Sequence, residues 1–504
     1  MTLPPSGAGA RLSWPGAAVS LLGIGAALLI LAARLHCVAK VGSPVPLWDE
    51  WDPDIISIVL PPADGLPGLK AMLAAHNGHR IVLSRLLYLA LFWLQGRHWE
   101  VLSGVVLDQV AFSFLAGGLL VWLGWDRSVR SFVLLVGGGA ALCANPFGWQ
   151  AQDWALESSI YFCIVLSVAG FCLLASTGPA RPSFWCGIGL ACLSVLSFGA
   201  GIATVLAAFV LVALRDVAGP RRSRAVAALM VLGAAAAALL AGTEPVGMQM
   251  RHQVGDMIWV ALRVLSWPLG PDSFALAYLP VLLLVGRGLV WPALRDRMVW
   301  FAGAVGVWEA ALAAQLALAR FDDPITSRYT EFLVVGLVVN LAVALRLWQT
   351  DWVAARLWRR AGAGAAVLLW CGAMASGFYD RAPELAKEYA GKRGDADRHA
   401  VQVARYLKTG DAALLYVPRS IPYHTPDRLG AMLRQGAASG IFEPVLWQGD
   451  TPARDHWRKT LSRWATRIAV VGGLFILAAL LRQRRPVSKV FWFFFSKKNM
   501  LSSR

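Results

Sequence analysis

Charge is what this sequence has least of. Only 15% of its 504 residues are Asp, Glu, Lys or Arg, while 57% are apolar; a soluble domain carries about 25% charged residues. So little polar surface cannot cover a water-soluble globule. The about three soluble domains that the length would allow are therefore excluded in favour of a multi-span membrane protein. Acids are scarcer still, 30 against 47 bases, for a formal charge of +17. In a soluble protein that excess would point to nucleic acid. In a membrane protein it is expected from cytoplasmic loops rich in Lys and Arg, so nucleic acid is set aside as a partner.

Several motifs are missing too. The seven cysteines (Cys37, Cys143, Cys163, Cys172, Cys186, Cys192 and Cys371) lie within or beside apolar runs, with no CxxC pair and no Cys/His cluster at ligand spacing. That excludes a disulfide framework and a zinc site. No Walker A sequence is present, which argues against ATP-driven transport by this chain, and there is no HExxH or GxSxG. Nor is there a half-to-half repeat of the kind porters carry.

What is present is a succession of apolar runs near the length needed to cross a bilayer, about 20 residues. They fall at 17–38, 81–95, 101–124, 130–146, 158–176, 183–198, 200–214, 224–241, 273–293, 299–319, 330–349, 361–378 and 466–482. The expected fold is an all-α polytopic membrane protein with about 11–13 transmembrane helices. The first run lacks the flanks of a cleaved signal and is read as an anchor. Basic clusters at 215–224, at 346–360 and after 482 orient the chain, since such segments stay in the cytoplasm. Residues 39–79, 242–272, 320–329 and 379–465 then face the other side. With every run a full crossing the parity fails, so one element between 81 and 214 must be broken or re-entrant. The break is expected in 183–214, at Ser197-Phe-Gly-Ala-Gly201; irregular backbone at membrane depth survives only inside protein or beside a cavity. The chain thus divides into a transmembrane module 1–378 with an external loop 39–79, a small extracytoplasmic region 379–465, a last span 466–482 and a basic tail 483–504. Within that tail, Phe491-Trp-Phe-Phe-Phe495 reads either as an interfacial anchor or as a terminal extension without a role.

Four clusters could carry chemistry. Trp48-Asp49-Glu50-Trp51-Asp52-Pro53-Asp54 packs four carboxylates between two indoles on the first external loop. Acids so close raise one another's pKa and suit one of them to accept a proton, and indoles beside carboxylates suit sugars; the competing reading is an interfacial tryptophan belt with solvated acids. His76-Asn77-Gly78-His79-Arg80 offers donors for a phosphate, or two ligands for a divalent metal, against a reading as interface residues reaching for water. Asn145-Pro-Phe-Gly-Trp149-Gln150-Ala-Gln152-Asp153-Trp154-Ala-Leu-Glu157 sits at a span mouth, as pocket lining or as helix caps. Arg328 and Tyr329 begin a helix after a short external loop, an anion site once backbone N–H groups are added. Within spans, Glu309, Arg287 and Asp108 are functional candidates by position or else buried structural pairs.

Taken together, Trp48-Asp-Glu-Trp-Asp52, His76-Asn-Gly-His-Arg80, Asn145-Pro-Phe-Gly-Trp-Gln150, Ser197-Phe-Gly-Ala-Gly-Ile202, Arg328-Tyr-Thr330 and Ile421-Pro-Tyr423 resemble, in order along most of the chain, a bacterial membrane-protein group within the GT-C superfamily of integral-membrane glycosyltransferases. The resemblance implies a GT-C-like fold in the bacterial inner (plasma) membrane. It implies inverting transfer of a sugar from a polyprenyl-phosphate donor to a glycan, lipid or protein acceptor on the extracytoplasmic side. Asp49, or Glu50 or Asp52 beside it, would be the general base. Trp48, Trp51, His76, His79, Arg80, Gln150, Arg328 and Tyr329 would bind sugar and phosphate, and the break near Gly199–Gly201 would admit the lipid chain. A divalent cation, Mg or Mn, is a conditional cofactor. Gly78 departs from the Glu expected of the group, which weakens a metal role there, and Ala200-Gly201 departs from an expected Asn-Gly. The alternative is a non-catalytic or transport protein for lipid-linked glycans, such as a flippase or polymerase partner.

Overall fold

The computed structural model of the chain describes residues 16–52, 58–60, 67–124, 128–215, 253–350, 356–416, 423–442 and 451–483, with scattered positions at 224–233 and at 353. Outside them lie Asp54, much of the expected run 224–241, Ile421, Pro422 and the Phe-rich tail. The described residues are all-α, without a β-strand. In chain order the helices are α1 (Gly16–Val41), α2 (Leu69–Leu73), α3 (Val82–Leu94), α4 (Val101–Gly124), α5 (Val129–Cys143), α6 (Trp149–Asp153), α7 (Ser158–Ser176), α8 (Pro182–Leu193), α9 (Gly201–Leu214), α10 (Val254–Leu265), α11 (Phe274–Ala277), α12 (Leu279–Val290), α13 (Arg297–Ala319), α14 (Thr330–Trp348), α15 (Leu357–Thr409), α16 (Pro426–Ala438) and α17 (Thr451–Gln483).

Seven of the described helices are long and apolar enough to cross a membrane, or eight if the pair around Tyr278, bent by 53°, counts as one broken span. That is fewer than the eleven to thirteen expected. Among the described residues, four of the expected runs fold as shorter apolar helices of 10–17 residues, Val82–Leu94, Ser131–Cys143, Pro182–Leu196 and Gly201–Leu214, and the run 224–241 lies mostly outside those residues. The run 183–214 is indeed interrupted. A 3-10 turn at Ser194–Leu196 and the irregular Ser197–Ala200 separate α8 from α9, which pack on one another and on α7. Only glycine fits at 201, because a Cβ there would lie 2.4 Å from the Ser194 backbone.

Local chemistry explains several ends. Asp296 caps α13, its carboxylate accepting from the Met298 and Val299 N–H groups at 3.0 and 3.2 Å, and it also pairs with Arg346. Prolines at the first turn open α8 and α16. Gly410, at φ +71°, ends α15 in the left-handed conformation.

α14 is the central post, buried continuously from Thr330 to Leu345. α1 packs against α17, α4 and α5. The α1–α17 crossing is close because Gly25 and Gly472 face each other; a Cβ at Gly25 would sit 2.9 Å from the Gly472 carbonyl oxygen. α15 is one helix of 53 residues, running without a break past the expected division at 378. At 1.5 Å per residue it is about 80 Å long, well beyond a bilayer's hydrocarbon core of about 30 Å. Its polar continuation meets α16 in a second apolar core, where Val403, Tyr406, Leu429 and Leu433 join Trp51, Tyr88, Phe92 and Phe442. The 379–465 segment therefore shares its core with the first loop.

Inside the main bundle, the five N–H donors of Arg34 meet five acceptors. These are Gln109 Oε1 at 2.7 Å, the Cys143 carbonyl at 3.0 Å, Tyr161 Oη at 2.5 Å and both Glu331 oxygens at 2.9 and 3.2 Å. Gln152 Nε2 donates to Glu331 Oε1 at 3.0 Å. Replacing Glu331 with Gln leaves the Arg34 charge without its counter-ion, a loss of about 3–5 kcal/mol for a buried pair. Thermal unfolding of the full chain in nanodiscs should show a clearly lower midpoint; Arg34→Met with Glu331→Leu should be milder than Glu331→Gln alone. An unchanged midpoint in Glu331→Gln would show that the pair does not hold the bundle.

Candidate active site

The acidic segment folds as a 3-10 turn, Trp48–Trp51, and its alternation decides which side chains are available. Glu50 turns inward: its carboxylate accepts from the Leu47 N–H at 2.6 Å and the Leu156 N–H at 3.4 Å, and burial pushes its pKa up to about 7 against the pull of those bonds. Trp51 is fully buried, donating from Nε1 to the Pro46 carbonyl at 2.9 Å and meeting the Phe442 ring. Trp48 and Asp49 face the other way. Trp48 takes a left-handed backbone, φ +46°, and is 44% exposed. Asp52 is drawn toward the C-terminal segment: the Tyr423 hydroxyl contacts both its oxygens at 2.9 Å, and Arg428 pairs with it at 2.7 Å. That hydroxyl's pKa is pushed up to about 12 by burial and by the Asp52 bond.

The His76–Arg80 segment, just before α3, forms a tight turn. His76 and His79 exchange backbone hydrogen bonds at 2.9 and 2.8 Å across Asn77 and Gly78, both with positive φ, +44° and +77°. Asn-Gly suits this geometry because both central residues of such a turn need positive φ. Asn77 Nδ2 donates to Asp49 Oδ2 at 2.8 Å, so the turn steadies the acidic loop. The His79 ring lies 4.4 Å from Phe198 in the broken segment. A Cβ at Gly199 would come within 2.5 Å of His79 Nδ1, so the imidazole is seated on a glycine. Burial, then the nearby His76, Arg328 and Arg320, lowers the His79 pKa to about 4 and keeps the ring neutral at working pH. The His76 pKa is lowered by burial against the pull of Asp49. Arg80 donates to the Leu73 carbonyl. Arg328 pairs with Glu157 at 3.1 Å and lies over the Tyr329 ring. The Gln150 backbone N–H bonds to Ser327 Oγ at 3.0 Å.

One cavity of about 500 Å³ opens beside this assembly. Of the residues predicted from sequence, Trp48 and Asp49 line it; Glu50, Asp52, Trp51, His76, His79, Arg80, Gln150, Arg328 and Tyr329 do not. The rest of the wall comes from Val41 and Leu47, from Asp153 at the end of α6 and Trp154 after it, from Lys392, Asp395, Ala396 and His399 on α15, and from His424. Trp154 meets Trp48 edge-on at 5.3 Å. Lys392 Nζ lies 4.5 Å from the centre of the Trp48 ring and 5.1 Å from that of Trp149, and Trp149 Nε1 donates to Glu388 at 2.6 Å. Positions 388, 392, 395 and 399 share one face of a helix, so a single stripe of α15 forms one wall. The Asp153–Trp154 pair had a visible signal in the amide- and indole-rich span mouth. Lys392 had none: it is one lysine in a charged stretch, and only the continuity of α15 brings it here.

Among the described residues no group of three His, Cys, Asp or Glu side chains could hold a metal ion. The two histidines part company: the His79 ring is turned onto Phe198, while His76 lies beside Asn77 on the side of Asp49.

The buried Glu50 carboxyl sets a pH dependence. Its folded pKa of about 7 stands above its ordinary 4.5, so the folded chain binds more protons in that window and stability falls as pH rises through it. The limit is about 1.4 kcal/mol per pH unit. Glu50→Gln should flatten the loss of thermal stability between about pH 5 and pH 7 and raise the unfolding midpoint at alkaline pH; parallel pH profiles for the two proteins would contradict this.

No protein-family model, curated protein or solved structure matches this chain, so its function is read from the site itself.

Proposed function

We propose that the chain is an integral-membrane glycosyltransferase that moves a sugar from a polyprenyl-phosphate donor to a hydroxyl acceptor in this cavity, with inversion. The observation that carries the reading is Asp49: an acid lining a cavity of about 500 Å³ at one end of a helical membrane bundle, with indoles and one lysine around it. A cavity of that size suits a sugar-sized ligand. The basic clusters support its side. Arg346 and Asp296 pair where α13 begins and α14 ends, whereas the cavity lies beyond the opposite ends of those helices. If the basic end is cytoplasmic, the cavity faces outward.

In this mechanism Asp49 takes the proton of the acceptor hydroxyl as that oxygen attacks the anomeric carbon. The new glycosidic bond forms while the bond from that carbon to the phosphate oxygen breaks. The electron pair leaves with polyprenyl phosphate. Asn77 holds Asp49 in place. Of the cations expected to meet the phosphate, Arg328 is engaged with Glu157 and His79 is neutral and seated on Phe198, so the task passes to Lys392. No step is routed through a metal ion.

The test uses the full-length protein in nanodiscs with a panel of polyprenyl-phosphate hexoses and pentoses, scoring loss of sugar from the lipid. Wild type should turn over at least one donor. Asp49→Asn keeps the shape but cannot accept a proton, and should lose about 10²–10⁴-fold in rate with donor binding retained. Lys392→Gln should weaken donor binding. A wild type inert toward every donor, or an Asp49→Asn protein as active as wild type, would sink the enzyme reading in favour of a carrier or partner for lipid-linked glycans.

A further inference from the structure

α6 ends in Gln152-Asp153, and Trp154 follows in extended backbone. Asp153 and Trp154 are 6% and 3% exposed, yet Asp153 Oδ1 and the Trp154 indole N–H have no hydrogen-bond partner among the described residues. A buried polar atom left unpaired costs about 1–3 kcal/mol. Here two stand on adjacent residues, one an indole donor and one a carboxyl oxygen, and both residues line the same cavity. Their positions are not accidental to the fold. Gln152, the residue before them, donates to Glu331 Oε1 and to the Asn145 carbonyl, which locks α6 onto the central bundle. The edge-on contact with Trp48 then fixes the Trp154 ring.

The chemistry that completes this pair is a hydroxyl-bearing ring. A hydroxyl both donates and accepts, so two neighbouring hydroxyls satisfy a carboxyl oxygen and an N–H together. An anion satisfies only the N–H. Beside the Asp153 carboxyl it would also be repelled, whereas a phosphate elsewhere in the cavity meets Lys392. We infer that Asp153 and Trp154 form a subsite for adjacent hydroxyl groups of an uncharged sugar ring, with the carboxyl and the indole N–H as its two hydrogen-bonding arms. This rests on the glycosyltransferase reading for what the sugar is attached to, but not for the binding itself. Burial, and then the nearby Glu50, raises the Asp153 pKa well above the usual carboxylate range. A neutral acid can still donate to or accept from a hydroxyl, so the subsite works in either form.

The probes are free methyl glycosides of glucose, galactose and mannose, observed by saturation-transfer NMR on the full chain in nanodiscs. Wild type should bind at least one of them. Trp154→Phe keeps a ring and removes the N–H, and Asp153→Asn keeps the shape and removes the acid; each should weaken that binding about tenfold. Unfolding midpoints check that both variants are folded. If Trp154→Phe is folded and binds the same sugars as tightly as wild type, or if wild type binds none of the three, the subsite is overturned. Sugar binding lost in the variants while wild type turns over no lipid-linked donor keeps the subsite and removes the transferase. Donor turnover with sugar binding unchanged in the variants does the reverse.

Discussion

The fold hangs on a single guanidinium. Arg34 lies in the first helix, almost wholly shielded from solvent, where an unpaired charge would be very costly. It is tolerated because its planar fork of five donors is saturated, with the ring of Phe112 beneath it at 4.1 Å. The acceptors come from α4, the end of α5, α7 and the first turn of α14, so one side chain draws together helices far apart in sequence. The arrangement is also intolerant of change. Gly148 leaves room for Glu331 only because it has no Cβ: one placed there would lie 2.1 Å from the carboxylate oxygen. Since Glu331 also takes the Gln152 amide, the charge that organises the bundle fixes the short helix delivering Asp153 and Trp154 to the cavity. Structural and functional groups are neighbours in sequence here, and separating their effects requires variants on each side of Gln152.

A second constraint acts on the acidic turn. Its four residues divide into two that hold the turn and two that face the cavity. Glu50 satisfies backbone donors that would otherwise be orphaned, and Trp51 plugs the core shared with α15 and α16. Asp52 is bound by Tyr423 and Arg428, which fastens the distal segment to the turn. Asp49, between these anchors, is left to face the cavity with one bond to Asn77. Clustering of acids thus has a structural cause as well as a chemical one. Three of the carboxylates are accounted for by burial, by latching and by the cavity, while Asp54 lies outside the described residues.

Sequence periodicity and apolar content were enough to read an all-α membrane protein, and the interruption at Ser197–Gly201 was legible because Ser and Gly break an otherwise unbroken apolar run. Helix length was less legible, since an apolar run of 13 residues and one of 20 differ little in composition. The unity of α15 was hidden by its change from apolar to charged near residue 379; backbone hydrogen bonding is indifferent to that change, while composition reads it as a boundary. In the site, the motif stretches show which segments carry polar groups but not which way their side chains turn. Whether Asp49 or Glu50 faces the cavity depends on a 3-10 turn started by a left-handed Trp48, which nothing in Trp-Asp-Glu-Trp announces. The His76–His79 turn is announced by its Asn-Gly pair, just before the apolar run that forms α3.

The electrostatics of the cavity follow from which charges the fold has already consumed. Arg34 and Arg328 have buried carboxylate partners, and His79 is held neutral. Cations close to the site in sequence are thereby committed to structure. The lysine that reaches the cavity arrives from more than 300 residues away in sequence, on a helix long enough to leave the bundle and pass beside the acidic turn. Its seat over two indole rings, 4.5 and 5.1 Å from their centres, holds it by cation–π attraction rather than by a dedicated carboxylate. A cation held in that way keeps its hydrogen-bonding protons available, whereas one locked in a bidentate pair does not. The indoles of Trp48 and Trp149 therefore hold one positive charge beside the cavity that Asp49 lines.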